Sequence, residues 1–140
     1  MALSDHRLIR LLEKLALPAS DYVVTGSGPL LAHGLKNNIH DIDLVARGKA
    51  WEQAAALGTV RRSKSGLGRW IALCGGQIEV FDHWVGGRFD VDAMIDAAEL
   101  VEGVPFMSLR ETLRWKRGLG RAKDLRDAAL IERYLAVPAR

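Results

Sequence analysis

Apolar residues follow two rhythms along this chain. Over residues 4–17 they recur every third or fourth position, at Leu8, Leu11, Leu12 and Leu15. That spacing predicts a helix capped by Ser4 or Asp5 and ended by Pro18. Tyr22-Val-Val-Thr25 predicts a strand. Pro29 suits the first turn of the helix after it, and Gly34 is a stop signal. Residues 41–46 predict a second strand and 49–57 an alanine-rich helix. Residues 59–62 predict a short strand, joined by a turn over 64–68 to another at 69–73. Gly75-Gly76 signals a hairpin into Gln77-Ile-Glu-Val-Phe-Asp82, whose alternation is that of a half-buried strand. Residues 91–98 predict a short helix. Ser108-Leu-Arg-Glu111 forms a capping box that opens a helix to about Lys116, broken by Gly118 and Gly120. The last helix spans 121–135, with Leu125, Ala128, Ala129, Leu130 and Ile131 on its expected buried face. This order predicts an α/β (α+β) fold: a mixed sheet flanked by helices, with C-terminal helices. No repeat, low-complexity stretch or linker interrupts it, so residues 1–140 read as one domain.

Composition narrows the class. The chain has 140 residues, 49% hydrophobic and 26% charged, enough for a real core. Its net charge of +3 suits nucleotide or nucleic acid without requiring either. Cys74 is the single cysteine, which excludes an intrachain disulfide and a cysteine zinc site; its apolar surroundings predict a buried hydrophobe. No apolar run reaches membrane-spanning length, and Asp5, His6 and Arg7 stand where a signal peptide needs its apolar core. The expected location is cytoplasmic.

The candidate chemistry lies in the first half. A strand runs into Gly26-Ser27, a helix follows, and the next strand carries Asp41-Ile-Asp43. Residues two apart on a strand share a face, so Asp41 and Asp43 project together while Ile42 and Leu44 face the core. Two adjacent carboxylates repel, and such a pair suits hard divalent cations that take oxygen ligands. The third acid is Glu79 or Asp82. Glu79 is preferred, because its strand can sit within the sheet, whereas Asp82 lies near the strand end and in solvent. Asp41 and Asp43 would bridge two Mg²⁺ ions, with Mn²⁺ as a substitute, and Glu79 would complete the metal and catalytic set or act as base. The Ser27 hydroxyl and nearby backbone N–H groups would contact the terminal phosphates. A P-loop is excluded because Pro29 follows Ser27-Gly28, and a dinucleotide fingerprint because Leu31 replaces its third glycine.

These residues resemble the signature of the nucleotidyltransferase superfamily, the polymerase-β-like fold: Gly-Ser, about a dozen residues, two acids separated by one apolar residue, and a third acid on a later strand. Leu113-Arg-Trp-Lys116 with Arg121-Ala-Lys-Asp-Leu-Arg-Asp127 is similar to the C-terminal segment of small bacterial nucleotidyltransferases related to the AbiEii toxins. The resemblance covers roughly residues 20–135. It implies transfer of a nucleoside monophosphate from a nucleoside triphosphate to a hydroxyl on RNA, protein or a small molecule, in a toxin–antitoxin setting with an antitoxin partner. The loop at 34–40 lacks the Arg-Gly and Ser of the minimal nucleotidyltransferases paired with HEPN proteins. A non-catalytic nucleotide-binding or interaction domain that keeps the fold is the alternative.

The basic C-terminal segment adds Lys116 and Lys123 as candidate nucleotide-binding residues, each able to neutralise triphosphate charge. Asp124 and Asp127 are expected to pair with arginines or to cap the last helix. Arg61, Arg62, Lys64 and Arg69 surround a glycine turn; solubility explains them, and contact with a polyanionic acceptor is the competing reading. His33 and His40 read as structural or exposed. Core packing is the default for Trp51, Trp70, Trp84 and Trp115, with base stacking by Trp70 or Trp84 as the alternative.

Overall fold

A computed structural model of the chain describes residues 2–136. Its strands are β1 (Tyr22–Val24), β2 (Ile42–Ala46), β3 (Val60–Arg62), β4 (Arg69–Leu73), β5 (Ile78–Phe81), β6 (Glu99–Val101) and β7 (Val104–Phe106). They form one mixed sheet in the order β3-β4-β5-β2-β1-β7-β6. β2 lies antiparallel to β1 and parallel to β5, and β1 runs parallel to β7. The remaining neighbours are antiparallel. The helices are α1 (Arg7–Leu15), α2 (Gly28–Ala32), α3 (Gly48–Leu57), α4 (Val91–Asp96), α5 (Leu109–Leu119) and α6 (Ala122–Ala136).

The period-2 alternation sorts each strand between two faces. Ile42 and Leu44 of β2, Ile71 and Leu73 of β4, and Ile78 and Val80 of β5 point to the main core, closed by α1 and α3. Val23 and Val45 point to the other face, where Ile95 of α4 and Trp115 of α5 cover them with Trp84 and Met107. A third cluster, Leu30, Leu109 and Ile131, ties α2 to α5 and α6. No helix among the described residues is long and apolar enough to cross a membrane.

Several expected boundaries move. A 3-10 turn at Leu3–Asp5 precedes α1, and the cap is His6, whose Nδ1 accepts from the Leu8 N–H at 3.2 Å. α1 ends at Ala16, in a left-handed conformation, two residues before Pro18. Ser108 caps α5 by accepting from the Glu111 N–H at 3.1 Å, while the Glu111 carboxylate turns to Arg114 instead of completing the box. α5 runs through Gly118 and ends at Gly120, the left-handed cap. The β6–β7 hairpin is an element that the hydrophobic pattern did not predict.

Two burial expectations fail. Cys74 is exposed, because the Gly75-Gly76 turn begins one residue early and takes Cys74 out of β4 at φ 53°. On α6, Leu125 and Ala129 face solvent, while Asp124 and Asp127 join Ala128 and Ile131 on the buried side. Hydrophobicity is overridden there by ion pairing to Lys116 of α5.

Candidate active site

Three carboxylates converge near the start of the central strand. Asp41 lies one residue before β2, Asp43 is on β2, and Glu79 is directly opposite Asp43 in the parallel β2–β5 register. Cross-strand partners share a face, which brings sequence-distant acids side by side. One oxygen from each of Asp41, Asp43 and Glu79 lies within 4.8 Å of the others. Asp41 is exposed, and Asp43 and Glu79 are half-buried.

The proton affinity of the cluster reflects this crowding. Burial pushes the Asp43 carboxyl up to about 7, with further contributions from the Asp41 and Glu79 charges; Lys123 and Lys116 pull it back. Glu79 is also raised, first by burial and then by Asp41, against the charge of Lys64. Converging oxygen donors of like charge fit a hard divalent cation, which would relieve the repulsion, and they fit a thiolate- or imidazole-preferring metal poorly.

The turn between β1 and α2 borders the acids. The Thr25 N–H donates to the Asp43 carbonyl at 2.9 Å, so the β1–β2 ladder continues into the turn. Gly26 follows at φ 64°, and a Cβ there would stand 3.2 Å from Asp43 Oδ2. Glycine is therefore required twice, for the left-handed backbone and for the approach to the carboxylate. Gly28 is confined as well, since a Cβ would run into the Val24 side chain.

Ser27 belongs to a second, mostly buried cluster. Its hydroxyl donates to Asp127 Oδ2 at 3.2 Å and accepts from Lys116 Nζ at 3.2 Å. Lys116 pairs with Asp127 at 2.9 Å and stands 3.9 Å from Asp124, and Lys36 closes on Asp127 from outside at 3.0 Å. Lys116, Asp124 and Asp127 are 3%, 1% and 4% exposed. Burial alone would raise the Asp127 carboxyl, but hydrogen bonds and charge from Lys116 and Lys36 together hold it below its usual value. Asp124 is likewise lowered, its burial outweighed by Arg121, 2.6 Å away, and by Lys116.

The expected site residues thus separate into groups. Asp41, Asp43 and Glu79 come together, with Gly26 against Asp43. Ser27 and Lys116 meet each other on the flank, and Lys123 is exposed, with its charge felt at Asp43. Asp124 pairs with an arginine as expected, whereas Asp127 pairs with lysines. Lys36 is a member that the sequence did not single out, because nothing in its local pattern marks a partner 91 residues away. Asp82 is not free in solvent. It accepts from the Arg69 N–H at 2.7 Å and from Arg69 Nε at 2.9 Å, and lies 3.0 Å from His83 Nδ1. Its own burial would raise its carboxyl, but these contacts jointly lower it.

No protein-family model matches the chain, and no curated protein matches its sequence. Among solved structures it is similar to the crystal structure of a protein from Thermotoga maritima provisionally described as a nucleotidyltransferase. The TM-score is 0.60 at 19% identity, over 96% of this chain and 95% of the other. The chain therefore has a nucleotidyltransferase-like fold.

Proposed function

We propose that residues 1–140 act as one metal-dependent nucleotidyltransferase domain, moving a nucleoside monophosphate from a nucleoside triphosphate to an acceptor hydroxyl. The observation that carries this reading is the convergence of Asp41, Asp43 and Glu79 beside the Gly26-Ser27 turn. Asp41 and Asp43 would hold Mg²⁺, or Mn²⁺, with Glu79 completing the set. A bound divalent cation supplies charge neutralisation for the phosphates and a lowered pKa for the attacking hydroxyl.

The chain's own groups do the rest. The Gly26-Ser27 turn would offer backbone N–H groups to the phosphates, with Gly26 keeping the space beside Asp43 clear, and the Ser27 hydroxyl would exchange Asp127 for a phosphate oxygen as its acceptor. Lys116 holds the Ser27 hydroxyl in place, and exposed Lys123 is free to meet a phosphate. In the transfer, a bond forms from the acceptor oxygen to the α-phosphorus and the bond to the β-phosphate bridge breaks. Pyrophosphate leaves, and the acceptor proton passes to a carboxylate of the cluster, assigned to Glu79.

The setting we favour is cytoplasmic and toxin-like, with an antitoxin partner. It is supported by the AbiEii-like segment over residues 113–127. The alternative, a non-catalytic nucleotide-binding domain, draws on one observation: Lys116 is closed into ion pairs with acids rather than presented to a ligand.

One experiment tests the reading. Each of four α-³²P nucleoside triphosphates is incubated with Mg²⁺, total RNA and cell extract, alongside the Asp41→Asn/Asp43→Asn protein. Label on RNA, protein or a small molecule that is absent with the double variant supports transfer and reports the acceptor class. Absence of variant-sensitive label in every fraction, with nucleotide binding intact, favours the non-catalytic domain.

A further inference from the structure

The strand register continues the acid-bearing face beyond the cluster, toward the β3 edge. One rung reads Ala72 on β4, Glu79 on β5 and Asp43 on β2. The next rung on the same face reads Arg61 on β3, Trp70 on β4, Phe81 on β5 and Val45 on β2. Two residues along a strand is about 7 Å, close to the reach of one nucleotide. The helices cover only half of this face. Val45 lies under the α4–α5 cluster, with Phe81 packed at its border, whereas Ala72 and Arg61 are exposed and Trp70 is half-buried. Ala72, paired with Glu79 and standing just beyond the end of β3, is exposed and marks the uncovered half.

Its chemistry is specific. Trp70 lies nearly parallel to Phe81, with centroids 6.3 Å apart and planes at 20°. Arg61 and, in the turn beyond it, Lys64 have no ion pair among the described residues. The Lys64 charge reaches Glu79, so the basic turn and the acids belong to one electrostatic neighbourhood. On the opposite face Arg62 also has no ion pair among the described residues, but it is directly across from Arg69, which is tied to Asp82 and covers the Trp51 ring. Charge on an edge strand protects it from pairing with other chains. That need does not account for an aromatic platform beside Arg61.

We propose that this open half of the sheet binds a single-stranded nucleic-acid end and delivers its terminal hydroxyl to the Asp41, Asp43 and Glu79 cluster. Trp70 supplies a stacking face for a base, and Arg61 and Lys64 meet the backbone phosphates. The inference rests on the nucleotidyltransferase reading and narrows its acceptor.

The test is fluorescence anisotropy with a labelled 12-nucleotide single-stranded RNA, and DNA of the same sequence, with Ca²⁺ in place of Mg²⁺. Tight binding to either is expected, with the stronger arm naming the nucleic acid. Trp70→Ala should weaken it about tenfold, and Trp70→Phe should restore most of the loss. Arg61→Glu/Lys64→Glu should weaken it and flatten its salt dependence by about two phosphate contacts. Arg62→Glu, an edge charge reversal on the opposite face, should cost little. Circular dichroism and melting temperature check that each variant is folded. No binding by the folded wild-type chain overturns the inference. So does equal loss in the Arg61→Glu/Lys64→Glu and Arg62→Glu proteins, or equal displacement by polyglutamate. Label transferred only to protein or a small molecule would overturn this inference and leave the enzymatic reading standing. Site-specific binding without any transfer would overturn the enzymatic reading and, with it, the delivery of the terminal hydroxyl, leaving only the binding surface.

Discussion

Lys116 and Asp127 form a closed ion pair, with Nζ 2.9 Å from Oδ2 and both side chains almost entirely removed from water. Removing Asp127 leaves the buried Lys116 ammonium only the longer ionic contact to Asp124 at 3.9 Å, which costs about 3 kcal/mol. Asp127→Asn should therefore lose about that much in urea unfolding. Lys116→Met combined with Asp127→Leu should recover a large part of it, because the second charge is no longer stranded. A loss below about 1 kcal/mol for the single variant would show that the pair is open to solvent.

Asp43 predicts an unusual pH dependence. Its carboxyl titrates near 3.8 when unfolded and near 7 in the metal-free fold. The folded state thus binds the extra proton between these values. Its contribution is fully present below the unfolded pKa and is lost as pH rises through about 7. Asp43→Asn mimics the protonated form. In EDTA, its melting temperature should be close to wild type near pH 4 and higher at pH 8. Mg²⁺ should reverse the order at pH 8, since ligation requires the deprotonated carboxylate. A pH-independent difference between the two proteins would contradict the burial of Asp43.

We assign the third acid to Glu79 on pairing as well as on position. Glu79→Gln should abolish transfer and weaken Mn²⁺ binding in calorimetry. Asp82→Asn should keep both and lose about 1 kcal/mol of stability through its contacts with Arg69 and His83. Loss of transfer in Asp82→Asn, with Glu79→Gln active, would reverse the assignment.

Gly26 and Gly34 make a matched pair. Both have left-handed backbones, at φ 64° and 72°, but only Gly26 lies against a carboxylate; nothing is within 4 Å of a Cβ on Gly34. Alanine at either should cost about 1 kcal/mol for the conformation. Gly26→Ala should also shrink the rise in melting temperature that Mg²⁺ gives, and Gly34→Ala should not. Equal responses to Mg²⁺ would separate the turn from the acid cluster.

The alternation around Asp41, Asp43 and Glu79 was readable because a period of two puts polar residues on one face, whatever the partner strand. The pairing of Asp43 with Glu79 was not, since parallel register is set by a crossover of 31 residues, 47–77, rather than by local pattern. The β6–β7 hairpin escaped because its strands have three residues each and Pro105 argues against a strand interior. The tight turn at Glu102-Gly103, with φ 50° and 82°, was the available signal. On α6, ranking positions by hydrophobicity put Leu125 inside. The structure puts it 51% exposed, because two acids with buried partners outcompete it for the inner side.

β2 is the middle strand of seven, with three neighbours on each side. Both of its hydrogen-bonding edges are occupied, so Asp43 cannot shift register without unzipping the sheet. The rims are free of that constraint. The turn before β4 and the turn between β6 and β7 can lengthen, shorten or change sequence while the acids keep their spacing. On the proposed acceptor reading, recognition can thus drift at the turn before β4 while the acids stay fixed, and grafting new loops there is the direct way to redirect this scaffold to other acceptors.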